Sequence, residues 1–260
     1  MQAWKGATKA LSGTILLLAL GSSGLPGAEP AGGTAAELAE RVFQAMGGRR
    51  GWEAAHFLRF DFAVEKEGKI LSRYRHWWDR DQGRYRLEGS NKEGKAFIIL
   101  LNVQDRKGKA WLDGKRAATD EEAKLVDYAY GRFINDTYWF LMPMKMTDPG
   151  VHLQREADRT DPAGKKWQIL HVTFDTGVGL TPGDQYWAWI DPGTHLMGRW
   201  EYVLENEKPP AEAWSWEGWK QFGPLTLSPL KRKVGEDLAI RIDNLAVSET
   251  IDEAAFKEPA

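Results

Sequence analysis

The sequence contains no cysteine, so this chain forms no disulfide, no thiolate metal site and no cysteine nucleophile. The same absence removes any cysteine that a lipid could modify behind an export leader, and we expect no lipid anchor. Beyond residue 28 the sequence has no run of about 18 apolar residues, the length that indicates a membrane-spanning helix. The formal net charge is only −2 and no segment is strongly basic, so no nucleic-acid partner is expected.

Short motifs of common enzymes and metal proteins are missing as well. The chain has no HExxH pair, no P-loop, no dinucleotide fingerprint and, after residue 28, no GxSxG elbow. The histidines lack the spacing that zinc ligands share; they are His56, His76, His152, His171 and His195. We therefore expect no metal, no cofactor and no enzymatic activity, although carboxylates from distant strands could still form an unrecognised hydrolase or isomerase site.

The N-terminal segment has the layout of an export signal. Lysines precede an apolar stretch at residues 11–20, and small residues follow it, as signal peptidases require. The stretch is shorter than the ~20 residues of a membrane span, which favours a cleaved leader over an anchor. We expect residues 1–28 to be a signal peptide, residues 29–33 a flexible lead-in, and residues 34–260 a single domain in the periplasm.

Hydrophobic periodicity predicts a helix followed by strands. Thr34 and Glu37 have capping-box spacing, and apolar residues recur at helical intervals as far as Met46. From Phe57 the period changes to two, and short turn sequences separate the strands that follow. Strands joined by such short turns must be antiparallel.

A second helix is predicted in the middle of the chain. It begins at Thr119, where Glu122 completes a second capping box, and ends before Asn135. The apolar run at residues 137–142 is then a short helical turn that Pro143 stops.

The C-terminal half returns to strands, among them single strands at residues 214–221 and 225–233. Strands and helices do not alternate, which excludes Rossmann and TIM-type folds. We predict a mainly β (α+β) domain: a single curved antiparallel sheet of about 11 strands, forming a half-open barrel with helices covering its concave face.

Tryptophan is the compositional anomaly, with 13 residues. Strand alternation places Trp187 and Trp189 on one face of their strand, and Trp167 and Ile169 on one face of the preceding strand. The opposite faces of both strands are apolar too, which an antiparallel sheet with one wet face would not show. The aromatic excess therefore indicates either a solid core or the apolar wall of a binding cavity.

Two polar side chains occupy strand positions that could point inward. His76 lies between aromatic residues, and Arg199 lies beside Trp200. A histidine among aromatics is usually a hydrogen-bonded structural residue, and an arginine in such a strand usually points to water. We interpret both as structural.

The layout resembles the LolA/LolB-like superfamily of periplasmic lipoprotein carriers and outer-membrane lipoprotein-sorting-like proteins, and an uncharacterised branch of it. The features that carry the resemblance are the leader, the helix at 34–46 ahead of the first long strand, the blocks at 135–143 and 179–186, the strand pair at 186–192 and 196–202, and Phe256 close to Pro259. The resemblance implies a half-barrel with a helical lid and, between them, an apolar cavity that shelters acyl chains.

We therefore expect a periplasmic, non-enzymatic carrier that binds a lipid or lipoprotein acyl group. The expected cavity lining is Trp187, Trp189, Trp167, Ile169, Trp200, Tyr202, Trp139, Phe60 and Phe62. An envelope protein-interaction or sensor module on the same scaffold is the alternative, which a solid core with an exposed apolar patch would favour. A hydrolase would be favoured by converging carboxylates with shifted pKa values.

Overall fold

The computed structural model describes residues 33–259, so the predicted signal peptide and most of the lead-in lie outside the described residues. The helices are α1 (Ala35–Ala45), α2 (Gly48–Ala54) and α3 (Thr119–Lys145). The strands of the first half, β1 to β6, are Phe57–Lys66, Lys69–Asp79, Arg84–Ser90, Ala96–Asn102, Gly108–Leu112 and Lys115–Arg116. The strands of the second half, β7 to β15, are Val151–Thr160, Lys166–Phe174, Gln185–Ile190, Met197–Val203, Glu212–Glu217, Lys220–Phe222, Leu225–Leu227, Leu230–Lys233 and Leu238–Ser248, and a 3-10 helix follows at Glu253–Phe256.

One antiparallel sheet of 13 strands organises the described chain, in the order β6-β5-β4-β3-β2-β1-β15-β14-β11-β10-β9-β8-β7. Each half is a meander, and the two meanders join where β1 pairs with β15 along its length. The sheet is curved and open, with β6 and β7 as its edges. The predicted architecture is confirmed, with two strands more than the roughly 11 expected.

Apolar side chains of alternating strand positions face the helices and form two clusters on the concave face. The N-terminal half of α3 packs on β3, β4 and β5, where Leu87, Ile99 and Phe133 are core members. The C-terminal half of α3 and α1 cover the main core, to which Phe60 and Trp200 belong. The helix α3 therefore spans both clusters and closes the concave side of the sheet.

The helix α1 is confirmed, including its capping box, in which the Thr34 hydroxyl accepts from the Glu37 N–H and the Glu37 carboxylate accepts from the Thr34 N–H. Gly47, at a φ of 122°, follows the C-cap Met46, and the helix α2, which the sequence did not predict, begins at once. Gly47 packs against the carbonyl of Pro224, so this corner depends on a distant segment of the chain.

The predicted end of the second helix is wrong. The helix α3 runs without a break from Thr119 to Lys145, includes Pro143, and has Ala118 as its N-cap in place of a second capping box. Its continuation through Asp136 and Thr137 depends on burial against the sheet, because both residues are buried there. Pro143 removes one helical hydrogen bond, which the packing of this buried segment outweighs.

Both long C-terminal strands that the sequence predicts are interrupted. Gly218, at a φ of +69°, separates β11 from β12 and lies against the ring of Pro229, which separates β13 from β14. The Ser228 hydroxyl donates to the carbonyl of Glu217 over 2.8 Å and holds the two breaks side by side. The ribbon β12–β13 therefore leaves the main sheet.

Candidate functional site

The nine residues predicted to line one cavity lie on opposite sides of the sheet. Those on the concave side, where the helices pack, are Phe60, Phe62, Trp200 and Tyr202 of the sheet and Trp139 of α3. Those on the convex side are Trp167, Ile169, Trp187 and Trp189; Ile169 pairs with Trp189, whereas the adjacent pair Leu170 and Ala188 belongs to the concave core. The convex residues cannot line a cavity between sheet and helices, and a lining role for the concave residues stays a prediction.

The concave aromatic residues pack on one another. The ring centroid of Trp139, on α3, lies 4.7 Å from that of Trp200 and 4.9 Å from that of Trp214, both in edge-to-face contact. Trp200 contacts Trp216 in the same manner at 5.4 Å. These distances are those of a packed aromatic core, so a guest beneath α3 requires the helix to move.

The convex tryptophans are covered by charged side chains. Trp187 donates its indole N–H to Glu156 over 2.9 Å, and His171 stacks on its ring at 4.6 Å. The guanidinium of Arg199 lies 4.8 Å from the ring centroid of Trp189, which Arg159 also approaches. These contacts explain how both faces of β8 and β9 are apolar without a second layer of strands.

An open cleft of about 700 Å³ lies between α1, the segment that follows α3 and the start of β7. Ala39 and Met146 of its lining belong to the main core, and Val151 and Leu153 pack against that core. The other lining residues are Ala36, Glu37, Glu40, Arg41, Thr147 and Asp148. We name this the α1–β7 cleft; sequence patterns did not reveal it, because its walls come from distant segments.

A buried polar network joins α3 to the sheet. The Nε2 atom of His76 lies 3.2 Å from a carboxylate oxygen of Asp136, and the same oxygen lies 2.6 Å from the Arg132 guanidinium. Nδ1 of His76 shares a 2.6 Å hydrogen bond with the hydroxyl of Tyr85. Burial lowers the pKa of His76 and raises that of Tyr85 well above its ordinary value, so both are neutral.

This network resembles a catalytic relay in composition but is closed to solvent. His76, Asp136 and Tyr85 are each 0 % exposed. A catalytic group must reach its substrate, and here Phe60 stacks on the His76 ring at 4.3 Å. The arrangement fixes α3 to the sheet and does not by itself supply a reaction centre.

Within residues 33–259, no group of three or more His, Cys, Asp and Glu side chains is arranged to hold a metal ion. The helices in that range lack the combination of length and apolar character that a bilayer crossing needs.

The structure is similar to that of proteins with the LolA-like fold, in its open curved sheet and in the helices that cover the concave face. A LolA superfamily protein from Nitrosomonas europaea superposes with a TM-score of 0.50 at 8% identity, over 86% of this chain and 98% of that one. A DUF1329 family protein from Desulfovibrio piger also matches, with a TM-score of 0.46 at 12% identity, over 85% of this chain and 95% of that one. A putative outer membrane lipoprotein-sorting protein domain from Vibrio parahaemolyticus matches with a TM-score of 0.45 at 10% identity, over 85% of this chain and 95% of that one. The predicted resemblance is confirmed at the level of the fold.

At the level of sequence, residues 105–209 match a family of unknown function, DUF6503. This stretch covers α3 and the strands β5 to β10, which include one wall of the α1–β7 cleft and the convex residues Trp167, Trp187 and Trp189. No curated protein is significantly similar in sequence to this chain.

Proposed function

We propose that this protein is an exported, non-enzymatic carrier that acts in the periplasm and holds an acyl chain of a lipid or lipoprotein between its helices and its sheet. The acyl chain enters through the α1–β7 cleft. The observation that carries the proposal is the continuity of this open cleft with the buried core, through Ala39 and Met146. The LolA-like fold supports it at the level of architecture.

The size and lining of the cleft suit an acyl ligand. Its volume of about 700 Å³ falls within the range of small-molecule sites, roughly 300–1,000 Å³. Each methylene group that leaves water contributes about 0.8 kcal/mol, so an acyl chain binds by burial without any chemical step. The charged side chains of Glu37 and Asp148 keep the entrance of the cleft hydrated, whereas the base of the cleft is apolar.

Deeper insertion requires α1 or α3 to separate from the sheet, because aromatic rings fill the space beneath α3. The C-terminal end of α1 is tied by the Thr226 N–H, which donates to the Met46 carbonyl over 3.0 Å. We propose that the N-terminal end of α1, where Ala36 and Ala39 line the cleft, is the end that moves outward. Such a movement would widen the cleft toward the core.

The proposal is tested on the exported protein, purified under mild conditions and analysed by native mass spectrometry and lipid extraction. Leu153→Glu places a carboxylate in the cleft, and we expect at least about tenfold weaker fatty-acid binding, since burying a charge is costly. Leu71→Glu is the matched control, because Leu71 is 57% exposed on β2. Lipid-free protein without fatty-acid affinity, or equal loss in both variants, would contradict the proposal.

A protein-interaction module is the second candidate, and an exposed apolar surface favours it. Ile70 and Leu71 are 43% and 57% exposed on β2, where pairing with β3 begins only at Arg75. Two exposed apolar side chains beside a strand edge suit strand addition by a partner. Photocrosslinking from position 70 in the envelope tests this; a crosslinked partner that Leu153→Glu retains and Leu71→Glu loses would favour it.

A further inference from the structure

Lys231 is a buried lysine without an acidic partner. It lies on the concave face of β14, opposite Ile240 and Trp216 in the strand pairing, and is 0 % exposed. Its Nζ donates to the carbonyl of Ser228 over 2.5 Å and lies 4.2 Å from the centroid of the Trp216 ring. Among the described residues no carboxylate forms an ion pair with it.

The environment favours the uncharged amine. Burial alone lowers the pKa of Lys231 well below its ordinary value, and no neighbouring anion opposes this effect. A lysine amine has more than one N–H to donate, whereas the contacts here provide one carbonyl oxygen. The side chain therefore keeps donor capacity that the protein does not use.

Two indole donors of the aromatic cluster that contains Trp216 are also unpaired. The indole N–H groups of Trp200 and Trp216 are buried without an acceptor in the described chain. The Trp216 ring contacts both Lys231 and Trp200. Buried polar groups in folded proteins are nearly always paired, so these unpaired donors are suited to an acceptor that a ligand supplies. The ligand group that suits them is an oxygen, preferably an anionic one.

We propose that Lys231 is the anchor for the free carboxyl group of a fatty acid or a similar acidic lipid. This inference rests on the proposed function and names its ligand class; Lys231 lies against Trp216 of the main core, into which the cleft leads, and not in the lining of the cleft itself. The acid enters in its neutral form, its O–H proton moves to the Nζ lone pair, and an ammonium–carboxylate pair results. One proton is transferred and no net charge is buried, so the pair avoids the cost of an isolated ion.

The chemistry discriminates between acyl ligands. A free acid supplies both the proton and the acceptor oxygens, which the amine of Lys231 and the indole N–H of the contacting Trp216 can use. An ester or amide of the same chain has no such proton and can offer only a neutral carbonyl. The site is therefore expected to prefer free acids over acyl groups that are already esterified.

The test compares palmitic acid with methyl palmitate on the exported protein. The wild type is expected to bind the acid at least about tenfold more tightly, the ratio of a charge-assisted to a neutral hydrogen bond. Lys231→Met keeps the length and apolar character of the side chain; it should remove the preference while binding of methyl palmitate is retained. Lys220→Met, at an exposed position on β12, is the matched control and should keep the preference.

A second measurement does not depend on any variant. NMR of the Lys231 Cε should shift from the amine position to the ammonium position when palmitic acid is added, and stay unchanged with methyl palmitate. If the wild type binds both probes equally and the Cε signal does not move, the inference about Lys231 is overturned and the proposed function stands. If neither probe binds the wild type, the proposed function fails and the inference fails with it.

Discussion

His76 illustrates what a single buried side chain does in this fold. It stacks on Phe60, shares a hydrogen bond with Tyr85 and faces Asp136 on α3. The charged groups that face it are Asp136, Arg132 and, at longer range, Asp61. Burial outweighs the two carboxylates, so the imidazole is neutral in the folded protein.

This neutrality predicts a loss of stability in mild acid. The unfolded chain takes up a proton at His76 near its ordinary pKa of 6.5, whereas the folded chain has a lower pKa. The contribution of His76 to the free energy of unfolding is therefore complete above pH 6.5 and declines as pH falls, by up to about 1.4 kcal/mol per pH unit. Chemical denaturation at a series of pH values measures this slope, and His76→Gln should flatten it; an unchanged slope would contradict the assignment.

At the scale of elements, polar contacts as well as apolar packing hold α3 on the sheet. Its first half rests on β3 to β5 and its second half on the main core, and Asp136 lies between them in the buried network. Arg132, one turn earlier, reaches the same carboxylate and also covers the Tyr74 ring at 4.3 Å. This polar contact fixes the position of α3 on the sheet, which apolar packing alone would not fix.

We expect Asp136→Asn to destabilise the protein by about 2–3 kcal/mol, because it leaves the mostly buried Arg132 guanidinium without its carboxylate. The midpoint of urea denaturation measures the change. Asp127→Asn, on the exposed side of the same helix, is the control and should change stability by less than about 0.5 kcal/mol. Equal effects of both substitutions would mean that the network contributes nothing specific.

At the scale of the whole molecule, two long-range connections join the halves of the chain. The strands β1 and β15 pair along their length, and α3 contributes side chains to both clusters on the concave face: Val126, Ala129 and Phe133 to one, and Phe140, Leu141 and Met142 to the other. Neither half can unfold without exposing the apolar side of α3.

Unfolding is therefore expected to occur in a single cooperative transition, in agreement with the predicted single domain for residues 34–260. Circular dichroism and tryptophan fluorescence should give coincident denaturation curves, since the tryptophans lie in both halves of the sheet. Two separated transitions would show that the meanders fold independently and that α3 does not couple them.

Local patterns were sufficient for the class of fold. The capping box at Thr34 and the alternation that begins at Phe57 specify a helix and strands from neighbouring residues alone, and short turns require antiparallel pairing. Capping and alternation depend on contacts a few residues apart. For this reason the sequence alone predicted the open sheet, the first helix and the LolA-like resemblance.

Tertiary contacts decided what local patterns left open. Alternation shows that Trp187 and Trp189 share a face, but only the pairing of β8 and β9 within the whole sheet determines that this face is convex. Likewise, Pro143 stays helical and Lys231 is buried because distant segments pack against them. Periodicity records which side chains lie together on an element, whereas the side of the sheet that the helices cover is set by contacts between residues far apart in the chain.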